Sequence, residues 1–159
     1  MNREPLTGLS KILWRQVFTR FPEWQEYAEI VESEGDDNYK SLYVRVHSPA
    51  DEKSHLSILE RDDCIEVSFS DGDLPGGAER QMVCEEGSER SCVEAVMEFI
   101  QEIIDEKVVI GRERSSWISG HKPLPPQFIA SAEIEGKRKR LASVRSWKGT
   151  YDWEQADST

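Results

Sequence analysis

The segment from Ser91 to Asp105 constrains the fold of this chain more than any other, because its apolar residues follow one helical stripe. Positions 93, 96, 97, 100, 103 and 104 are all apolar at spacings of three and four, and Phe99 widens the stripe. Ser91 and Glu94 have the spacing of a capping box, which predicts that the helix begins at this serine. A helix over residues 91–106 with one apolar face needs an apolar surface to cover.

An antiparallel sheet is the predicted surface. Residues 39–47, 55–60 and 64–69 alternate apolar and polar side chains as half-buried strands do, and turn-forming residues separate the three runs. A short strand near residues 80–84 would complete a hairpin with the third run. We expect an α+β fold, in which an antiparallel meander carries the long amphipathic helix on one face.

The flanking segments add further elements. Apolar spacing predicts an N-terminal helix over residues 8–21, which Pro22 interrupts. Residues 24–31 fit a helical face or a strand, and we favour the strand. After the long helix, strands are predicted within residues 107–114, 128–134 and 140–147.

The length of the chain indicates one folded domain. A chain of 159 residues can enclose one continuous core, so residues 1–154 are expected to form a single α+β domain. Residues 155–159 are expected to be a disordered tail.

The net charge limits the classes of partner. A formal charge of -11 repels phosphate backbones and disfavours a general nucleic-acid binder, whereas a basic protein partner is accommodated. No signal-peptide core and no apolar run long enough to span a bilayer is present, so we expect a cytoplasmic protein without a membrane partner. The three cysteines, an odd number without close pairing, are expected to be reduced thiols.

The sequence SDGDLPGGAER, residues 70–80, invites comparison with ligand-binding loops. Counted from Asp71, the fifth and twelfth positions of a calcium loop would be Pro75 and Met82, which cannot serve as its ligands. Neither the dinucleotide pattern nor the phosphate-loop pattern occurs. The segment is predicted to be a turn, and Asp71 and Asp73 are candidates for contacts with a partner protein.

The polar side of the long helix is acidic. Glu94, Glu98, Glu102 and Asp105 recur opposite the apolar stripe with few basic residues between them. This pattern is typical of a solvated face, but it is also what a docking surface for a basic partner requires. We take these four residues as the main candidate partner-binding site.

The one basic cluster, Lys137 to Arg140, supports an alternative function. With Trp147, Tyr151 and Trp153 nearby, the segment 137–153 could grip phosphates and stack on bases, as a nucleic-acid or regulatory binding module would. The same tetrad could equally form an exposed hairpin that balances local acid.

No pattern of residues indicates catalysis or a bound cofactor. The cysteines and histidines show no zinc-ligand spacing, and no nucleophile motif or paired acid and base is present. We therefore predict a protein without catalytic residues, metal ligands or cofactor.

Four runs together resemble small bacterial immunity-type proteins of polymorphic toxin systems. They are YVRVHSP at 43–49, HLSILER at 55–61, CIEVSFSD at 64–71 and AVMEFIQEIIDEKVVIGRE at 95–113, with Trp117 after the last. The chain departs from the pattern after the third run, where it has Gly72, Pro75 and Gly76 in place of histidine and aromatic residues. The resemblance implies a small α+β protein that binds and neutralises a cognate toxin.

Overall fold

The computed structural model describes residues 8–32, 40–61, 63–72, 76–113, 116–120, 131–134 and 137–154. Its helices are α1 (Gly8–Arg20) and α2 (Glu89–Ile104), with a 3-10 helix at Pro22–Tyr27. The first five strands are β1 (Ala28–Glu32), β2 (Lys40–His47), β3 (Ser54–Arg61), β4 (Cys64–Asp71) and β5 (Gly76–Val83). The later strands are β6 (Val109–Glu113), β7 (Ser116–Gly120), β8 (Ser131–Ile134), β9 (Lys137–Arg140), β10 (Ser143–Arg145) and β11 (Trp153–Glu154).

The predicted α+β fold is confirmed. Strands β1 to β5 are hydrogen-bonded in chain order as an antiparallel meander, α2 packs on it, and α1 is the N-terminal helix. The strand order continues β5-β7-β6-β10-β11, and β8 and β9 form a separate two-stranded sheet. Strand β5 pairs with β7 in parallel, through Gly76 and Gly77.

The chain forms two compact units. The first contains residues 1–46, 57–67 and 80–100, and the second contains residues 47–56, 68–79 and 101–159. The prediction of a single domain over residues 1–154 is not tested by this division and stays a prediction.

The core of the first unit is aliphatic. Its fully buried side chains come from α1, the meander and α2, namely Leu13, Val17, Leu42, Val44, Ile58, Ile65, Val67, Val93, Val96 and Ile100. One carboxylate lies among them, because Glu60 of β3 is completely buried and accepts a hydrogen bond of 2.5 Å from the Ser10 hydroxyl of α1. A buried carboxylate requires such donors to replace lost hydration, so this pair ties α1 to the meander.

The second unit has its own core around the later strands. Val109, Leu141 and Val144 form a buried cluster, against which Tyr151 and Trp153 pack. The Trp147 ring is also buried and meets Phe69 of β4 edge-to-face, with the ring centroids 6.0 Å apart.

The start of α2 corrects the predicted capping box. The helix begins at Glu89, and the Cys92 N–H already donates to the Ser88 carbonyl oxygen at 3.0 Å. Ser91 therefore lies inside the first turn. The residue that precedes the helix is Ser88, which has the same preference for this position, so composition alone did not distinguish the two serines.

The cysteines also depart from expectation. Cys84, directly after β5, and Cys92, in the first turn of α2, form a disulfide across eight positions of sequence. Only Cys64 is a free thiol. The prediction of three reduced cysteines is wrong because it considered spacing in the sequence, whereas the turn into α2 brings these two side chains together.

Most of the SDGDLPGGAER segment lies in strands, because residues 70–71 end β4 and residues 76–80 begin β5. The predicted turn is described only at Gly72, since residues 73–75 lie outside the described part, and the strand predicted near residues 80–84 begins earlier, at Gly76. Gly77 is essential to this hairpin: its φ is +121°, and a side chain there would collide with the Phe69 carbonyl oxygen. No helix within the described residues is long and apolar enough to cross a membrane.

Candidate functional site

The four predicted acidic residues of α2 and its C-terminal end have different surroundings. Glu94, Glu98 and Asp105 are exposed, and Glu102 is half-buried. Residues 94, 98 and 102 are one helical turn apart and therefore form a single row, which Asp105 continues. This row is named the α2 acidic row below.

Basic side chains neutralise this row unevenly. Glu94 lines a cleft of about 270 Å³ together with Arg15 of α1 and Arg90 of α2. Asp105 accepts a hydrogen bond of 2.8 Å from the Gln101 side-chain amide. Because the amide is neutral, this bond does not compensate the negative charge of Asp105. Within the described residues, no ion pair joins Glu98 or Asp105 to a basic side chain. The negative charge of the row is therefore strongest beyond Glu94.

The other two predicted contact residues are not in this row. Asp71 is the last residue of β4, is only 8% exposed, and forms an ion pair inside the second unit. Asp73 lies outside the described residues.

A charged cleft of about 400 Å³ surrounds the partner of Asp71, which is Arg145 of β10. The Arg145 Nε lies 3.4 Å from Asp71 Oδ2 and 3.8 Å from Asp51 Oδ2, and its Nη2 lies 3.2 Å from Glu154 Oε2. Its Nη1 donates to the Trp153 and Val144 carbonyl oxygens. One guanidinium therefore holds three carboxylates and two carbonyl groups from four chain segments.

Strand register assembles the wall of this cleft. Ser143 of β10 pairs with Arg112 of β6 on one side and with Glu154 of β11 on the other. Because side chains two residues apart point to the same face, Arg145 shares the face of Ser143. Arg112 also approaches Glu154, with 3.7 Å between Nη2 and Oε1. The cleft is lined by three acidic and three basic residues, Asp51, Asp71, Glu154, Lys53, Arg112 and Arg145.

Burial governs the ionisation of Asp71. Loss of hydration raises the pKa of this carboxyl above its ordinary value and outweighs the opposing attraction of Arg145. Asp51 raises the pKa further by repulsion. The Asp71–Arg145 ion pair thus connects two strands. Because the two charges compensate each other, Asp71 adds little negative potential at the protein surface.

Glu106 anchors the loop that follows Arg145. The Lys107 N–H donates to the Glu102 carbonyl and the Glu106 N–H to the Ile103 carbonyl, a Schellman arrangement that ends α2. Glu106 thereby takes the left-handed position, with a φ of 57°, where glycine is the usual residue. Since a side chain in this conformation costs roughly 1–2 kcal/mol, its carboxylate must offer a compensating interaction.

That interaction is with the loop Ser146 to Asp152. Glu106 Oε1 accepts the Lys148 N–H at 2.9 Å and the Thr150 N–H at 3.1 Å. Burial by itself would raise the pKa of Glu106, but hydrogen bonds from the Thr150 and Ser146 hydroxyl groups and from these two N–H groups hold it below its ordinary value. Asp152 fixes the other end of the loop by accepting the Ser146 N–H at 2.7 Å.

The basic segment 137–153 contains strands and part of the buried core. Lys137–Arg140 forms β9 and pairs with β8 as an antiparallel hairpin. Trp147 is 6% exposed, and its carbonyl oxygen accepts the Ser48 hydroxyl at 2.6 Å. Trp147 therefore belongs to the core, and its ring faces are not open to stacking bases.

No group of three or more histidine, cysteine or acidic side chains that could hold a metal ion occurs among the described residues. Sequence reasoning missed both Arg145 and Glu106. An acidic residue after a long helix, at the place where glycine is usual, was the one local signal of Glu106. Nothing local marks Arg145, because its partners are distant in sequence.

No protein-family model, curated protein or solved structure matches this chain.

Two substitutions at Glu106 separate the contribution of its carboxylate to stability from the cost of its left-handed backbone conformation. Glu106→Gly relieves the left-handed strain of about 1–2 kcal/mol but removes two backbone hydrogen bonds, each worth about 1.5–3 kcal/mol because the acceptor is charged. We expect a net loss of about 1–5 kcal/mol in the free energy of unfolding at pH 7, measured by chemical denaturation. A gain in stability would contradict the assigned role.

Glu106→Gln tests the same carboxylate through pH. Because the pKa of Glu106 is lowered on folding, its contribution is present above the ordinary value of 4.5 and is lost as the pH falls through the folded-state pKa. The stability difference between the wild type and Glu106→Gln should therefore shrink on acidification below that value. Glu98→Gln, at an exposed site on the same helix, is the matched control.

Proposed function

We propose that this protein is a non-enzymatic immunity or inhibitor protein, which binds and neutralises a basic bacterial toxin through the α2 acidic row. The observation that carries the proposal is that Glu98 and Asp105 are exposed and that, within the described residues, neither has a basic partner. The resemblance of four sequence runs to immunity-type proteins gives the class of partner.

Electrostatics explains what such a row would do. With a net charge of -11, the protein attracts a basic partner from a distance. The acidic row, with exposed Glu98 and Asp105, focuses this attraction on one helix face and raises the rate of association. Binding over this face would cover basic groups on the surface of the toxin.

The charged cleft around Arg145 is a weaker candidate for this role. Its three carboxylates already face three basic side chains, so it offers a basic partner little net charge. The same carboxylates would have to give up their contacts with Arg145 before they could bind a partner.

Reversing charges on the row tests the proposal. The triple variant Glu98→Lys, Glu102→Lys and Asp105→Lys should associate with the partner recovered by pull-down from the native organism at least about tenfold more slowly at low salt. Its association rate should also depend less on ionic strength, because fewer complementary charges steer the encounter. Stopped-flow kinetics measures both quantities.

A matched triple variant controls for net charge. Glu52, Asp63 and Glu85 are exposed acidic residues outside the row, and changing all three to lysine alters the formal charge by the same amount. This control should lose much less of the association rate. Equal losses in the two variants would show that net charge alone matters and would reject the row as the contact surface.

We also propose that the protein acts in the cytoplasm, where a toxin would reach its target. Fractionation of the native organism should recover the protein with the cytoplasmic proteins. Recovery outside the cytoplasm, where a disulfide such as Cys84–Cys92 is usual, would contradict this location.

A further inference from the structure

The outer edge of β1 offers a second binding surface. Strand β1 is the first strand in the order of the nine-stranded sheet and pairs with β2 in antiparallel register, from Ala28 opposite Val44 to Glu32 opposite Lys40. Within the described ranges, no strand pairs with its other edge. An edge of this kind presents backbone N–H and C=O groups that can bind an added strand.

Apolar side chains are exposed at this edge. Tyr27, directly before β1, is 45% exposed, and Val31 within it is 44% exposed. Alternation along the strand places Val31 and Glu29 on the exposed face, whereas Ala28 lies on the buried face. Exposed aromatic and aliphatic side chains beside unpaired backbone groups are typical of a protein-binding surface.

Acidic side chains surround these apolar groups. Glu23, Glu26 and Glu29 are exposed, and Glu32 forms an ion pair of 3.3 Å with Lys40. A hydrogen bond between Glu26 and the Tyr27 hydroxyl raises the pKa of that hydroxyl, and the negative charge of Glu26 raises it further. Charges on an edge strand commonly prevent two copies from pairing, because like charges would lie opposite each other.

The same acidic side chains favour the addition of a strand that carries basic side chains. We propose that the outer edge of β1 binds an extended, basic segment of a partner protein by strand addition. A lysine or arginine of that segment lies opposite Glu29, and an apolar side chain two residues away lies opposite Val31. The alkyl part of a second basic side chain covers the Tyr27 ring, where its cationic end also approaches Glu26.

This inference goes beyond the proposed function and does not require it. The α2 acidic row would steer a folded basic partner, whereas β1 would bind an unfolded or extended segment through its backbone. The two surfaces lie on different elements, so variants in one leave the other intact.

Peptide binding to the full chain tests the inference. The probe is the acetylated and amidated peptide Thr-Val-Thr-Lys-Thr-Lys-Thr, titrated into the ¹⁵N-labelled protein at low salt. Paired antiparallel to β1, its valine would lie opposite Val31, its first lysine opposite Glu29 and its second lysine opposite Tyr27. Strand addition predicts slower hydrogen exchange for alternate amides of β1, because these amides gain backbone partners. A second form of the peptide, N-methylated at every residue, has the same charge, but its methyl groups block pairing along both edges, so it should bind at least about tenfold more weakly. Equal binding of both forms would overturn strand addition.

Variants locate the peptide. Glu29→Lys should weaken binding about tenfold, whereas Glu98→Lys, which changes the net charge equally but lies on α2, should have little effect. Glu29→Gln removes the charge without adding a long side chain and should also weaken binding. This variant keeps the test decisive if Glu29→Lys does not fold. Loss of binding in Glu98→Lys alone would place the peptide on α2. A peptide-free dimer that protects the same β1 amides would show that a second copy occupies the edge, and either result would overturn the proposal.

Discussion

The buried carboxylate of Glu106 is the interaction on which the second unit depends. It stands where α2 ends, at a left-handed position that a side chain occupies only at a cost in free energy. Its Oε1 accepts hydrogen bonds from two backbone N–H groups of the loop that follows β10, and these bonds compensate that cost. The end of the long helix and the C-terminal strands are thereby joined by one residue. Arg145 is the last residue before that loop, and its strand pairs with β6 and β11 on either side.

Arg145 shows how this protein compensates its buried charge. Three carboxylates and two carbonyl oxygens converge on its guanidinium, and Arg112 completes the charged wall. Pairs that are out of water need such complete arrangements, since an unpaired buried charge is strongly destabilising. The chain has more acidic than basic residues, and within its described part the exposed acidic side chains without such partners include Glu98 on α2 and Glu29 on β1. Surface carboxylates of this kind remain available to a basic partner.

Elements with strong periodicity could be predicted from the sequence, because their patterns are local. The stripe of α2 and the alternation of β2, β3 and β4 depend on neighbouring residues, and the structure confirms each of them. The start of α2 was misplaced by two residues, since Ser88 and Ser91 both suit a helix start. The Cys84–Cys92 disulfide and the partners of Arg145 could not be foreseen, because they depend on how a turn and a strand register bring distant residues together.

The candidate site was predictable only as a pattern of charge. Helical spacing grouped Glu94, Glu98 and Glu102, but it gave no information on their surroundings. The structure places Glu94 beside two arginines and buries Asp71 against Arg145, so equally acidic residues in the sequence differ in the charge they present. The edge of β1 was also hidden, because strand order decides which strand is outermost.

The measurement that tests the proposed acidic contact surface most directly is zero-length carbodiimide cross-linking of the protein to the partner that a pull-down from the native organism recovers. The reagent joins a carboxylate to an amine only where the two are in contact, and mass spectrometry identifies the joined residues. We expect Glu98, Glu102 or Asp105 to become linked to lysines of the partner. A complex in which these three carboxylates stay unlinked, while lysines within residues 137–153 are joined to acidic residues of the partner, would contradict the proposed surface.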